Sequence, residues 1–165
     1  KLVRRHPHVF GEARVQNSQE VLVNWERLKK AKKADRSLLD GIPRALSALL
    51  RASRVQERAA QVGFDWKDWR GALTKVREEI AELAAAAETS RGTAAEVGDL
   101  LFAVVNVARL LGVEAEEALN QSTEKFRRRF KFIEARAEEK GLKLQDLALE
   151  EMDAWWEEAK NLEKI

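Results

Sequence analysis

No cysteine occurs in the 165 residues, which excludes disulfides, thiolate metal sites and a cysteine nucleophile. Histidine is nearly missing as well: His6 and His8 flank Pro7, and two ligands without a third at fixed spacing do not make a zinc site. Two prolines and eight glycines leave few interruptions, and none of the glycines forms a Gly-rich phosphate loop or a GxSxG elbow. There is no run of about eighteen uncharged apolar residues and no signal-peptide pattern at the start, so no membrane partner is expected and the cytoplasm is the expected compartment. A large excess of one charge is also lacking. Thirty Lys and Arg against 28 Asp and Glu leave a formal charge of +2, which does not suit a protein that coats nucleic acid. The cluster Lys29-Lys30-x-Lys32-Lys33, next to Glu26 and Asp35, reads accordingly as a solvated helix end.

What the chain does have is apolar residue at 45%, charge at 35%, and enough length to bury a core unaided. The apolar spacing is helical throughout, and no stretch reads as a strand. Residues 1–16 read as a helix end and a loop, and Asn17 to Glu20 matches a capping box before a helix reaching about Lys33. Asp40-Gly41-Ile42-Pro43 is a turn with proline at a first helical position, opening a helix to about Val62 with a stop near Gly63. A helix from about Trp66 to Glu88 follows the stripe Leu73, Val76, Ile80, Leu83, Ala87. Further helices are expected up to Gly112, from about Glu114 to Lys140 before Gly141, and from about Leu149 to Glu163. The expectation is an all-α bundle of about six helices.

Two acidic signatures stand out, Glu78-Glu79-x-x-Glu82 and, fourteen residues on, Glu96-x-x-Asp99. Carboxylates three apart share one side of a helix turn, so two such helices face to face present four carboxylates to one space. That arrangement calls for a hard divalent ion, Mg²⁺ or Mn²⁺, of the kind that grips phosphates. In so charged a chain an ExxE spacing also arises on plain solvated surface. Glu96 has a second explanation, because Thr93-Ala94-Ala95-Glu96 fits a capping box. Asp99 directly precedes Leu100-Leu101-Phe102-Ala103-Val104-Val105, a helix apolar on nearly every side and expected to be buried, where a carboxylate needs a partner. Glu96, Asp99, Ala103 and Asn106 fall within an arc of roughly 80°. Asn106 is a candidate for substrate binding and equally a core amide bonded to backbone.

Bound phosphates need cations, and Lys125 and Arg129 stand four apart on one helix face with Arg128 adjacent. Trp156 and Lys160 form a second four-apart pair, suited to stacking a base and reaching a phosphate, although Trp155 is the neighbouring ring and position alone does not separate the two. Ordinary charged surface and core packing account for the same residues.

These motifs together resemble the MazG nucleoside triphosphate pyrophosphohydrolases of the all-α NTP pyrophosphatase group. The resemblance rests on Glu78-Glu79-x-x-Glu82 with Glu96-x-x-Asp99, on Gly98-Asp99-Leu100-Leu101-Phe102-Ala103-Val104-Val105-Asn106, on Lys125-Phe126-x-Arg128-Arg129-Phe130, and on Arg4-Arg5-His6-Pro7-His8-Val9-Phe10. It runs through nearly the whole chain, and its acidic parts also occur in related dUTPases and phosphoribosyl-ATP pyrophosphohydrolases.

The resemblance implies a helical domain that forms a homodimer, needs Mg²⁺ and converts a nucleoside triphosphate and water to the monophosphate and pyrophosphate. It implies metal ligation by Glu79, Glu82, Glu96 and Asp99, with Glu78 supporting them or orienting water. It further implies nucleotide recognition by Lys125, Arg129, Trp156 and Lys160. Longer members carry two copies of the domain, with the RRHPHVF segment closing the first. Residues 1–16 are therefore expected to end a preceding copy and 17–165 to form the domain itself. Lys1-Leu2-Val3-Arg4-Arg5 resembles Lys125-Phe126-Arg127-Arg128-Arg129, which points the same way. The competing expectations are a dUTPase-like enzyme of narrow specificity and a non-enzymatic helical interaction module.

Overall fold

The computed structural model describes residues 37–163. The helix expected over 17–33, the histidines, the lysine cluster and the boundary expected at residue 16 lie outside the described residues. The chain divides into two units at Ile42 and Pro43. Of the first, a turn is described: Asp40 N–H donates to the Ser37 carbonyl at 3.0 Å, the Asp40 carboxylate accepts from Ser37 N–H at 3.1 Å, and Gly41 follows at φ 84°.

The second unit holds five α-helices: α1 (Ala48–Ala60), α2 (Trp69–Thr89), α3 (Thr93–Leu110), α4 (Ala115–Glu139) and α5 (Leu149–Leu162), with one 3₁₀ turn at Leu144–Asp146. No strand occurs among the described residues. Local chemistry sets the limits. Asp68 caps α2 by accepting from Arg70 N–H at 2.8 Å, and that bond is the first cause holding its carboxylate below the ordinary value of 3.8. Gly63, Gly112 and Gly141 each take positive φ just past a helix end, where a Cβ would be strained. Pro43 does not begin a helix as expected. Its carbonyl accepts from Leu46 N–H at 3.3 Å in a turn, and α1 starts five residues later.

The packing is built from two helical hairpins. α2 and α3 lie closely together, α4 pairs with α5, and α1 packs on both α3 and α4. The α4–α5 pair holds an aromatic core in which Ile133, Ala137 and Trp155 are buried, with Phe130, Phe132, Leu147 and Met152 around them. The α2–α3 pair meets through smaller side chains, with Ala72 and Ala103 buried, and small residues let helix backbones approach closely.

Two expectations about faces are corrected. On α2, Ala72 and Glu79 are buried and Leu73, Val76 and Leu83 half-buried, while Ile80 is 53% exposed and Ala87 is exposed, so the stripe read in the sequence faces inward only in part. On α3, Ala103, Val105 and Asn106 are buried, but Leu101, Phe102 and Val104 remain open, and Asp99 is exposed. One neighbouring hairpin arm and α1 cannot cover a helix that is apolar all round.

Candidate metal centre

Glu79 lies on α2 and Glu96 and Asp99 on α3, and the hairpin sets them against each other. Ser90 in the left-handed region and Gly92 at φ 73° make the turn, and the Thr93 hydroxyl donates back to the Ala86 carbonyl at 3.4 Å. The cap of α3 is Gly92, and Thr93 is already inside the helix, so the capping box expected for Glu96 does not form. Glu96 stays in the first turn, where the helix N-terminus favours negative charge. One oxygen from each of Glu79, Glu96 and Asp99 lies within 4.8 Å of the other two.

Glu79 is the informative member. It is 5% exposed, and burial of a carboxylate is costly unless both oxygens are met. Oε1 accepts from the Lys75 ammonium at 2.7 Å, while Oε2 has no hydrogen-bond partner. The hydrogen bond to Glu79 is the first cause raising the Lys75 ammonium above its ordinary 10.5, with burial acting the other way and Glu78 and Glu82 contributing. Glu78 Oε2 lies 3.4 Å from the same ammonium. Glu78 and Glu82 are exposed on α2, and neither belongs to the three-carboxylate group.

Three carboxylates and an orphaned buried oxygen fit a cation that takes oxygen ligands. Oxygens around Mg²⁺ at about 2.1 Å sit roughly 3 Å apart, so a spacing within 4.8 Å needs only modest side-chain closure. With neither sulfur nor imidazole in the group, the donors suit Mg²⁺ or Mn²⁺ better than zinc.

The cationic candidates gather on the other hairpin. Arg129 donates through Nε and Nη2 to Glu163 Oε2 at 2.9 and 2.6 Å, and its guanidinium carbon stands 5.4 Å from the centroid of the Trp156 ring. Phe126 packs on Trp156 at 5.0 Å between centroids. Arg129, then Arg128 and Lys125, hold the Glu163 carboxylate below its ordinary 4.5. Lys160 pairs with Glu157 at 2.9 Å. The two tryptophans separate: Trp155 belongs to the core, with Lys140 over its ring, and Trp156 is half-buried among Phe126 and Arg129. Asn106 is buried, and its carbonyl oxygen is held by Arg109 rather than by backbone.

Residues 70–133 match the MazG nucleotide pyrophosphohydrolase domain, a stretch that includes all three carboxylates and Lys125 to Arg129. The chain carries a MazG domain. It is 46% identical over 170 residues to the nucleoside triphosphate pyrophosphohydrolase of Escherichia coli (strain K12), covering 99% of this chain and 65% of that protein. It is 44% identical over 162 residues to the nucleoside triphosphate pyrophosphohydrolase/pyrophosphatase MazG of Thermotoga maritima, covering 97% and 62%. It is 49% identical over 169 residues to the uncharacterized protein YabN of Bacillus subtilis, covering 99% and 35%. The chain thus spans less than two thirds of the length of each of these relatives.

Some charged residues around the acidic hairpin escaped the sequence reading. Lys75 precedes Glu79 by four and Glu78 by three, the spacing of helical ion pairs, and that was the available signal. Asp65 and Arg109, joined at 2.5 Å, carried no signal because 44 residues separate them. No helix among the described residues is long and apolar enough to cross a membrane.

Proposed function

We propose that this MazG domain hydrolyses nucleoside triphosphates to nucleoside monophosphates and pyrophosphate in a reaction that depends on Mg²⁺ or Mn²⁺. The observation that carries the reading is the buried Glu79 carboxylate, which leaves one oxygen without a partner and places an oxygen within 4.8 Å of oxygens from Glu96 and Asp99. Glu79, Glu96 and Asp99 would hold the cation, with Glu82 one turn beyond Glu79 completing the set. When bound, the cation supplies neutralisation of the triphosphate charge and polarisation of its oxygens.

The chain's own residues do the positioning. Lys125, Arg128, Arg129 and Lys160 supply positive charge to the phosphates, and Trp156 offers its ring to the base. Asn106 contributes a polar contact from the same face of α3 as Asp99. Glu78 orients the attacking water. The water oxygen forms a bond to the α-phosphorus as the bond to the bridging oxygen breaks, so pyrophosphate departs in line and the monophosphate remains. Most of the rate enhancement arises from orientation and charge stabilisation.

The homodimer is part of the same reading. Ile80 on α2, Leu101 and Val104 on α3, and Leu119 and Phe126 on α4 are all about half-exposed, apolar side chains suited to an interface. A second copy covers these side chains. Action in the cytoplasm completes the proposal.

The test is product analysis with each common nucleoside triphosphate and Mg²⁺. Monophosphate and pyrophosphate in equal amounts are expected. Diphosphate with orthophosphate, or no turnover by a well-folded chain, overturns the reading, and turnover confined to dUTP replaces it with the narrow one.

A further inference from the structure

The α2–α3 hairpin is tied at both ends, and only one tie is the covalent turn. At the open end, Arg109 near the close of α3 reaches Asp65 in the loop that leads into α2, with Nη2 at 2.5 Å from Asp65 Oδ1. The same guanidinium donates through Nε and Nη2 to Asn106 Oδ1 at 2.9 and 2.7 Å. Asp65 Oδ1 also accepts from Trp66 N–H at 2.9 Å, and the Trp66 ring lies against Gly71, where a Cβ would collide with it. The cluster is sheltered. Asn106 is buried, and the Arg109 and Asp65 side chains are 14% and 24% exposed.

The charges have no part in the proposed reaction, and their partial shelter leaves them less screened than a fully exposed pair. Arginine is donor only, so its grip fixes which end of the Asn106 amide faces it and locks that rotamer. Pairings run along the hairpin in one antiparallel register: Ala86 with Thr93, Glu79 with Glu96 and Asp99, Asp65 with Arg109.

We propose that Asp65 and Arg109 are positioning residues for the metal centre, pinning α2 to α3 in the register that brings Glu79 opposite Glu96 and Asp99. Magnitudes favour the idea. A slip of one residue moves a helix by about 1.5 Å along its axis, half the roughly 3 Å separation of neighbouring oxygens around Mg²⁺. The turn at Ser90–Gly92 fixes one end, close packing holds the helices together between, and the Asp65–Arg109–Asn106 cluster ties the open end without touching the ion.

This inference rests on the metal reading above, and the experiment separates the two. Mn²⁺ binding to the full chain is measured by calorimetry, beside thermal melting followed by circular dichroism, for the unsubstituted protein and for Asp65→Asn, Arg109→Met, Arg109→Lys and Asp68→Ala. Asp65→Asn and Arg109→Met are expected to weaken Mn²⁺ binding about tenfold, within the range by which substitutions that touch no ligand shift a site. Arg109→Lys, which keeps a cation against Asp65, is expected between these and the unsubstituted chain. Asp68→Ala removes the cap of α2 but leaves both members of the Asp65–Arg109 pair in place, and should lower the melting temperature with Mn²⁺ affinity held within about twofold. If Arg109→Met does not fold, Asp65→Asn, altered only in the loop, decides the matter. Unchanged affinity in folded Asp65→Asn, or an equal loss in Asp68→Ala, overturns the inference and leaves the metal reading standing. No saturable Mn²⁺ binding by the unsubstituted chain removes that reading, and the inference with it.

Discussion

The two hairpins are both rich in charge and handle it in opposite ways. In α4–α5 the ions answer one another: Arg129 holds Glu163, Arg136 holds Glu158 and Glu139, and Lys160 holds Glu157, all beside a core of Ile133, Ala137 and Trp155. In α2–α3 three carboxylates crowd one another, a single lysine meets one oxygen of Glu79, and the other oxygen has no partner. Crowded like charges oppose folding unless a cation joins them. The contrast teaches where to look for function in a chain this rich in charge. Ions paired within the chain are already neutralised, and a buried carboxylate left incomplete is the stronger pointer to the proposed cation site.

The sharpest way to break the comparison is Glu79→Gln. If the acidic hairpin holds a catalytic cation, several kcal/mol of transition-state stabilisation go with it, and the hydrolysis rate with Mg²⁺ should fall by about 10²- to 10³-fold while melting changes little. A rate within a few-fold of the unsubstituted chain would make α2–α3 as structural as its neighbour. The reverse substitution, Trp155→Ala in the α4–α5 core, should cost about 3–5 kcal/mol in denaturant unfolding and leave Mn²⁺ affinity nearly unchanged in the fraction that remains folded.

A smaller effect comes from acid. The Glu163 carboxylate titrates lower in the folded chain than its ordinary 4.5, with Arg129 as the first cause. Its contribution to stability is therefore complete above about pH 4.5 and disappears as pH falls through the lower folded value. Comparing Glu163→Gln with the unsubstituted chain across pH 3–7 should show two stability curves that differ at neutral pH and merge in acid. The smallest effect is expected of Arg128→Ala. Its guanidinium is 3.8 Å from Glu163 and 63% exposed, so stability should move by no more than about 1 kcal/mol, and any larger change in the Michaelis constant for a triphosphate would assign it to the substrate.

Helix positions could be read before any coordinates, because their causes are local. Gly63, Gly112 and Gly141 mark ends through local dihedrals, whereas α2, expected from about Trp66, begins at Trp69 behind its cap Asp68. The acidic pair of motifs was equally legible, since i, i+3 spacing is a property of one helix. What one helix cannot fully announce is its inward face: Leu73, Val76 and Leu83 of the stripe are half-buried, but packing buries Glu79 and leaves Ile80 exposed. The capping role expected of Glu96 failed for a similar reason. A turn with two left-handed residues, Ser90 and Gly92, placed the helix start one residue early and left Thr93 bonded to α2.

Chain chemistry alone therefore determined an all-α fold, the ends of most helices and the residue types able to hold a hard cation. Those follow from interactions within one or two turns. Tertiary packing decided which carboxylates meet, that Glu79 lies buried with one oxygen unanswered, that Trp155 and Trp156 part company, and that Asp65 joins Arg109. Such pairings depend on helices brought together from distant parts of the chain, and the free energy that selects them belongs to their contact and to no segment taken singly.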